Sequence, residues 1–534
     1  MFVKFFLCGL IAALPFVFTA LWPLSWVSLV PVVFMLMRKG SDISKRKAYL
    51  YGLGFGMGYF GVMFYWFTCL YPMEFAGIGN AQSLILVLVC WFGLALLQSI
   101  EFGFVILLYR LVRPDNKKIW LCALLFCALW VVFEWQQTLF WRGVPWARLA
   151  LSQSAVPFLQ QSASLLGSMF TSAVIAAVNA FIAAALYSIL GDKPLKELPC
   201  VFAEGFKKKK TVIFASVALG IFVLNASYGA IRYLTYDVTS DRKVTAAVIQ
   251  GNISSLDKWS EGSVKRSTEI YLELTEKCVK ETGAELVVWP ETVITENLRT
   301  SPSISRLLSD KAKELGITMF VGAYDSETVE DEKYSYNAIY IFYPDGSMGE
   351  GTYKKQHLVP FGEYTPMEDL IKTILPILYD INLLGDPFTP GEETEVFDTQ
   401  YGKVGSLVCF DSIYETLARS SVRDGAELIT LSTNDSWFRD SAAVYQHNSH
   451  ACLRAIENGR YVVRAANTGV STIISPVGNT LTLIEPLVDG YAAADVYMKT
   501  ERTLYSYVGN IFVYVCIGFI TAALVYSRVS RRNT

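Results

Sequence analysis

Hydrophobic positions divide the chain into two regimes. Up to about residue 235 they come in long unbroken runs, and one more such run follows residue 505. Between 243 and 497 they come in short β-branched runs separated by helical patterns. A bilayer core needs about 20 apolar residues per helix. That ruler lays spans at 4–20, 23–37, 48–71, 83–111, 119–140, 165–190 and 211–234, and an eighth at 508–527. Pro15, Pro23 and Pro31 shorten or kink the first two. In the middle regime KVTAAVIQ, AELVVWPE, ITMFVGAY, NAIYIFY, KVGSLVC, ELITLST, YVVRAAN and VSTIISP read as strands. Helical spacing covers 265–282, 302–315 and 450–460, the last stopped by Gly459. Strands and helices interleaved over this length predict an α/β domain with a buried sheet. The expected organisation is a membrane domain at 1–235, a polar domain at 243–497 and a last transmembrane helix at 508–527.

Composition supports this division. The 534 residues are 53% hydrophobic with a mean hydropathy of +0.36, too apolar for a soluble protein. A net charge of -2 provides no basic field for nucleic acid. Local charge is more informative: Arg38, Lys39, Lys45, Arg46 and Lys47, then Arg113, Lys117 and Lys118, then Lys207–Lys210, then Arg528, Arg531 and Arg532 all fall on one face if eight spans alternate. The positive-inside rule makes that face cytoplasmic and the 243–497 domain external. Glu101 and Glu134 sit at membrane depth, where a carboxylate needs a partner or a function. GLGFGMG at 52–58 lies inside a span, so it reads as a close helix contact rather than a phosphate loop. WRGVPWARL at 141–149 puts Trp141, Arg142, Trp146 and Arg148 at the outer interface, where arginines meet phosphate head groups. Seven of the ten cysteines fall in or beside apolar segments and read as small hydrophobes.

Candidate chemistry gathers at three places. VGSLVCFD at 404–411 is a strand that delivers a thiol, Cys409, at its end. LVVWPE ends at Glu291, and YKKQHLVPFGEY carries Lys355 and Glu363. A thiol, a base to deprotonate it and a cation to stabilise a tetrahedral oxyanion form a complete set for acyl transfer. Taken singly, Glu291 could cap a helix and Cys409 could be core. The histidines, 357, 447 and 450, accompany no HExxH or CxxC, so the sequence points to no metal and no cofactor.

WPE at 289–291, YxKxHLVPFGEY at 353–364, GSLVCFD at 405–411, NDSWF at 434–438 and RAIENGRYVVRAANTG at 454–469 together resemble the nitrilase superfamily, in its apolipoprotein N-acyltransferase branch. QGNISSLDKW at 250–259 resembles that branch's opening strand and loop. The resemblance implies eight spans with an α-β-β-α sandwich inserted before the last. It implies Glu291 as general base, Lys355 as transition-state cation, Cys409 as nucleophile, the Phe410 amide as oxyanion donor and Glu363 as a second essential carboxylate. Trp259 and Trp437 match aromatic positions along the substrate approach, and Arg142 and Trp146 join them as expected substrate contacts. At 410 and 411 the family pattern is Cys-Tyr-Glu and this chain has Cys-Phe-Asp, a change that bears on efficiency through Phe410 and Asp411 rather than on mechanism.

The implied reaction is ping-pong: a phospholipid donates an acyl chain to Cys409, and the α-amino group of a lipoprotein diacylglyceryl-cysteine takes it. The expected partners are those two substrates and the bilayer. The expected location is the bacterial cytoplasmic membrane, with the catalytic domain on its outer face. The apolar stretch 370–388 could be a lid dipping into lipid or a buried amphipathic helix. A membrane-anchored amidase using water or a small amine, and a non-catalytic lipid- or lipoprotein-binding protein, remain as alternatives.

Overall fold

The computed structural model describes all residues except 40, 41, 74–77, 114–117, 140–142, 255–257, 259–261, 375–386, 533 and 534. By internal contacts the chain divides into two compact units. One comprises Met1–Thr68, Val87–Thr235 and Val508–Thr534, the other Cys69–Leu86 and Tyr236–Tyr507.

Among the described residues, six helical stretches are long and apolar enough to cross a membrane: Thr19–Arg38, Asn80–Val112, Ile119–Gln136, Ser168–Leu190, Lys209–Thr235 and Ile511–Val529. The stretches anticipated at 4–20 and 48–71 form the helices Phe2–Val17 and Lys45–Met63, the first short and the second rich in glycine. Those glycines are packing surfaces on two faces. A Cβ at Gly58 would collide with the Phe6 carbonyl oxygen, while one at Gly56 would lie 2.7 Å from Ser99 Cα. The 45–63 helix is therefore in close backbone contact with both 2–17 and 80–112.

Between 149 and 166 the chain runs in short 3-10 and helical turns that the hydropathy pattern does not announce. Non-helical backbone in an apolar surround has to find its partners within the protein. Glu134 Oε1 accepts from Leu149 N at 2.7 Å and from Trp130 Nε1 at 2.8 Å. Gln160 donates to the Ala150 carbonyl at 3.0 Å, and Gln153 bridges Trp26 Nε1 and the Trp22 carbonyl. Glu101 accepts from Gln136 of the neighbouring helix. Trp146 and Arg148, expected at the interface, are instead buried in this unit: Trp146 packs on Trp66, and Arg148 donates to Ser168 Oγ at 2.9 Å. Arg148 also interacts electrostatically with the buried Glu134 carboxylate.

Among the described residues, the second unit has thirteen strands: β1 Lys243–Gln250, β2 Leu286–Val288, β3 Ile294–Asn297, β4 Thr318–Val329, β5 Glu332–Phe342, β6 Tyr353–Lys354, β7 Val396–Thr399, β8 Gly402–Val408, β9 Leu428–Thr433, β10 Val462–Ala466, β11 Ser471–Ile474, β12 Thr480–Ile484 and β13 Gly490–Tyr497. One sheet has the order β13-β1-β2-β4-β5-β6 with β3 beside β4, and the other runs β12-β11-β10-β9-β8-β7. Side-chain alternation explains why two sheets form where the strand periodicity alone suggests one. Val244, Ala246 and Val248 of β1 face Val404, Val408, Val463 and Ala465 of the second sheet in one core. Ala247 and Ile249 point the other way, to Tyr271 and Leu272 of the 263–282 helix, with Leu308 of the 302–315 helix in the same cluster. Each fully buried side chain of this kind contributes roughly 1.5–3 kcal/mol. The helices Glu415–Arg423 and Ala442–Asn458 pack with the second sheet, completing an α-β-β-α stack. All eight strands anticipated from the sequence are present. The additional ones, β3, β6, β7, β12 and β13, either have too few residues for a pattern or carry the mixed polarity of edges.

Candidate active site

Four chain crossings at the ends of the facing sheets build the site. After β2 the chain turns through Trp289, Pro290, Glu291 and Thr292 before rejoining β4 as β3. Thr292 has φ +47°, a bend that a β-branched residue adopts at a cost. Gly322 on β4 makes the bend possible, because a Cβ there would collide with the Pro290 carbonyl and lie 2.8 Å from Glu291 Cα. From the second sheet, Ser432 Oγ donates to the Trp289 carbonyl at 2.8 Å and fixes the turn from the other side.

Lys355 follows β6 with its side chain 1% exposed. Its Nζ donates to Glu291 Oε1 and to Glu363 Oε1, both at 2.9 Å. Asn337 of β5 repeats that bridge, donating to Glu291 Oε1 at 2.7 Å and to Glu363 Oε1 at 3.0 Å. The remaining carboxylate oxygens are also bound: Asn434 N donates to Glu291 Oε2 and Val359 N to Glu363 Oε2, each at 2.8 Å. Burial opposes charge on Glu291, yet Lys355, Lys258 and Asn337 outweigh it and hold the carboxyl below its ordinary range. Burial likewise opposes charge on Lys355, and the two carboxylates overcome it, holding the ammonium well above its usual value. These shifts favour an ionised Glu291 and a charged Lys355.

Cys409 ends β8 at the start of a 3-10 turn, Cys409–Ile413, with φ +49°. The strained turn lifts the thiol off the strand axis, as nucleophile elbows do. The Phe410 amide lies in the first turn, where N–H groups have no partner within the helix. Burial and the Glu291 carboxylate push the Cys409 thiol well above its ordinary value, with Lys355 opposing. Cys409 is therefore favoured as a neutral thiol beside an ionised carboxylate.

Asp411 joins the elbow to the lysine loop. Its Oδ2 accepts from Tyr353 Oη at 2.9 Å and Val408 N at 3.2 Å, and its Oδ1 from His357 N at 2.8 Å. Burial raises it to about 7 despite these donors. A carboxyl raised on folding stabilises the fold fully below its unfolded value and loses that contribution as pH rises through its folded value. The expected result is a wild-type Tm that falls between about pH 4 and pH 7 more steeply than that of Asp411→Asn. Thermal melts of both proteins across this range provide the measurement, and parallel pH slopes would remove Asp411 as the cause.

Behind the elbow, His447 Nδ1 pairs with Asp435 Oδ1 at 2.8 Å, and its Nε2 lies 3.1 Å from Ser412 Oγ and 3.2 Å from the Cys409 carbonyl oxygen. Arg464 donates to Asp435 Oδ2 at 2.7 Å. Donor atoms of Cys409, Asp435 and His447 lie within 4.8 Å of one another, but Arg464 already supplies the positive charge at Asp435. The arrangement buttresses the elbow. His357 stacks on Tyr414 with centroids 3.8 Å apart.

The chain is similar to known proteins over nearly its whole length. Over 527 residues the chain is 30% identical to apolipoprotein N-acyltransferase of Geobacter metallireducens, covering 98% of this chain and 95% of that one. The chain belongs to the apolipoprotein N-acyltransferase family. Apolipoprotein N-acyltransferases of a Nostoc species and of Pseudomonas aeruginosa are each 28% identical over 93% of this chain, and 94% and 89% of their own lengths are covered. The family model for the apolipoprotein N-acyltransferase N-terminal domain matches residues 8–181, and that for carbon-nitrogen hydrolase matches 245–504. A carbon-nitrogen hydrolase structure from Helicobacter pylori is 19% identical, covering 52% of this chain and 94% of its own, with a TM-score of 0.37.

Within this family frame, the structure brings Glu291, Lys355, Glu363 and Cys409 together, with Phe410 and Asp411 on the elbow. Trp437 is half-buried in the turn Ser436–Phe438, three residues after Asn434. Trp146 belongs to the other unit, and Trp259 and Arg142 lie outside the described residues. The 370–388 stretch also falls mostly outside them; its described ends are the helix Glu368–Ile374 and Phe388, which packs against Tyr324 with the rings tilted and donates its N–H to the Glu363 carbonyl at 3.0 Å. Sequence reading missed Asn337, Lys258 and the Asp435–Arg464 pair. The only signal for Asn337 is a polar residue opening an otherwise apolar strand, NAIYIFY.

Proposed function

We propose that this protein transfers an acyl chain from a membrane phospholipid, through a thioester on Cys409, to the α-amino group of the N-terminal diacylglyceryl-cysteine of lipoproteins. The observation that carries the reading is the convergence of Glu291, Lys355 and Glu363 beside a thiol on a strained turn. Cys409 Sγ attacks the ester carbonyl as Glu291 takes the thiol proton. Lys355 and the Phe410 amide stabilise the oxyanion, and Glu291 returns the proton to the departing lysophospholipid oxygen. Glu291 then accepts the proton released as the acceptor amine attacks the thioester, and the collapse regenerates the thiol. Glu363 and Asn337 keep Lys355 and Glu291 in register. Trp259 and Trp437, with Arg142, contact the lipid substrates.

Long apolar helices before and after the catalytic residues support a site held close to the bilayer surface. An eight-span membrane domain at 1–235 and 508–527, with the catalytic domain at 243–497 on the outer face of a bacterial cytoplasmic membrane, accounts for the basic clusters on alternate connections.

Intact mass spectrometry after incubation with a defined phosphatidylethanolamine tests the reaction. The expected result is a hydroxylamine-labile gain of one acyl chain, absent in Cys409→Ala. No adduct on folded wild-type protein with lipid in excess would sink acyl transfer from phospholipid and move the reading to an amidase.

A further inference from the structure

Lys258 is a second lysine inside the site. It follows β1 in the QGNISSLDKW stretch, and in the fold it is only 6% exposed. Its Nζ donates to Thr292 Oγ1, which among the described residues is the only hydrogen-bond partner of that ammonium. A buried ammonium bonded to a hydroxyl rather than a carboxylate is costly unless its charge serves neighbours. Here the neighbours are explicit: Lys258 interacts electrostatically with Glu291, Cys409 and Lys355.

Two features fix what that charge acts on. Thr292 directly follows Glu291 and holds the +47° φ of the bend, with Gly322 closing it from below and Lys258 bonded to its side chain. The second feature is charge balance. Glu291 and Glu363 share a single Lys355, so this trio alone carries an excess negative charge next to the thiol. During attack, Lys355 must also serve the forming oxyanion, weakening its hold on Glu291. Lys258 brings the set to neutrality from a position not occupied by Lys355.

We propose that Lys258 is a positioning residue for the base: it anchors the Glu291–Thr292 bend through Thr292 and supplies the second positive charge that keeps Glu291 ionised while Lys355 engages the oxyanion. The groups facing Glu291 are Lys355 and Glu363 from the lysine loop, Cys409 from the elbow, Tyr324 from β4, the neutral amides of Asn337 and Asn434, and Lys258. Burial lowers Lys258 to about 8, so it still carries its charge in the range where Glu291 acts as a base.

The role rests on Glu291 being the base for Cys409, and it can be read without any acyl donor. The measurement is the pH dependence of Cys409 alkylation by iodoacetamide in purified full-length protein in detergent, followed by peptide mass spectrometry. Lys258→Gln keeps a donor for Thr292 and removes the charge. It is expected to move the acidic limb to higher pH by about one unit, a tenfold change in proton affinity, while Lys258→Arg leaves the limb near wild type. Glu291→Gln is expected to abolish the limb, which assigns it. An unshifted limb in Lys258→Gln, including one with only a lower plateau, would overturn the proposal. If that variant does not fold, Lys258→Met carries the same expectation. If neither folds, a Lys258→Arg limb displaced like that of Thr292→Val would overturn it, because charge would then not be the operative feature. A shifted limb in a protein that forms no adduct with phospholipid would leave Lys258 in place and sink only the acyl-transfer reading.

Discussion

Lys355→Met is expected to abolish acyl transfer, a loss of about a thousandfold or more, because the oxyanion then loses the buried cation proposed to face it within a low-dielectric site. The same change leaves Glu291 and Glu363 facing each other across Asn337 without their shared partner. Breaking a buried pair from one side typically costs about 3–5 kcal/mol, so a lower Tm is expected as well. Lys355→Arg is not expected to rescue turnover, since a planar fork cannot place one point charge between two carboxylate oxygens. Transfer to a synthetic diacylated lipopeptide, followed by chromatography on protein whose folding has been checked by circular dichroism, provides the measurement. Turnover like wild type in Lys355→Met would eliminate the mechanism.

Gly322→Ala is expected to lower turnover by about a hundredfold without touching any chemical group of the site. An added Cβ would strike the Pro290 carbonyl and crowd Glu291 Cα and Thr292 N, all of them backbone atoms that no rotamer change can move aside. Relief requires the 290–292 turn to shift, and a displacement of about 1 Å at a catalytic group costs about this much. Asn434 N, Asn337 and Lys355 all hold the Glu291 carboxylate where it stands, so its main chain and its head would be pulled in different directions. The result is read as a fall in kcat at nearly constant KM. Unchanged kcat in a folded Gly322→Ala protein would mean that the turn tolerates displacement and that base placement is looser than the hydrogen bonds imply.

These two residues illustrate what a sequence discloses and what it conceals. Lys355, Glu291 and Cys409 were legible because each ends or follows a short strand within a distinctive local motif. The eight core strands were legible from their β-branched runs. Gly322 sits unannounced within ITMFVGAY, and its meaning depends on β2 and β3 lying beside it. Asn337 matters because β5 passes beneath both carboxylates, a fact of strand order rather than of local pattern. Arg464 and Asp435 are bonded across adjacent strand ends, and Lys258 reads as one more loop cation until its burial is seen. In the helical unit, the 149–166 turns escaped the hydropathy reading because glutamines and serines that look solvent-exposed spend their hydrogen bonds on buried backbone.

β13 pairs antiparallel with β1 along its whole length, from Lys243 opposite Tyr497 to Gln250 opposite Gly490. The strand that flanks the opening of the catalytic unit is thus the last to leave the ribosome before the closing apolar helix. Until then β1 is a bare sheet edge, and the first leaf of the sandwich cannot be finished. The leaf that carries the Glu291 turn therefore waits on a pairing between the first and last strands of its own unit, and a chain cut before Gly490 is expected to leave that leaf open along β1.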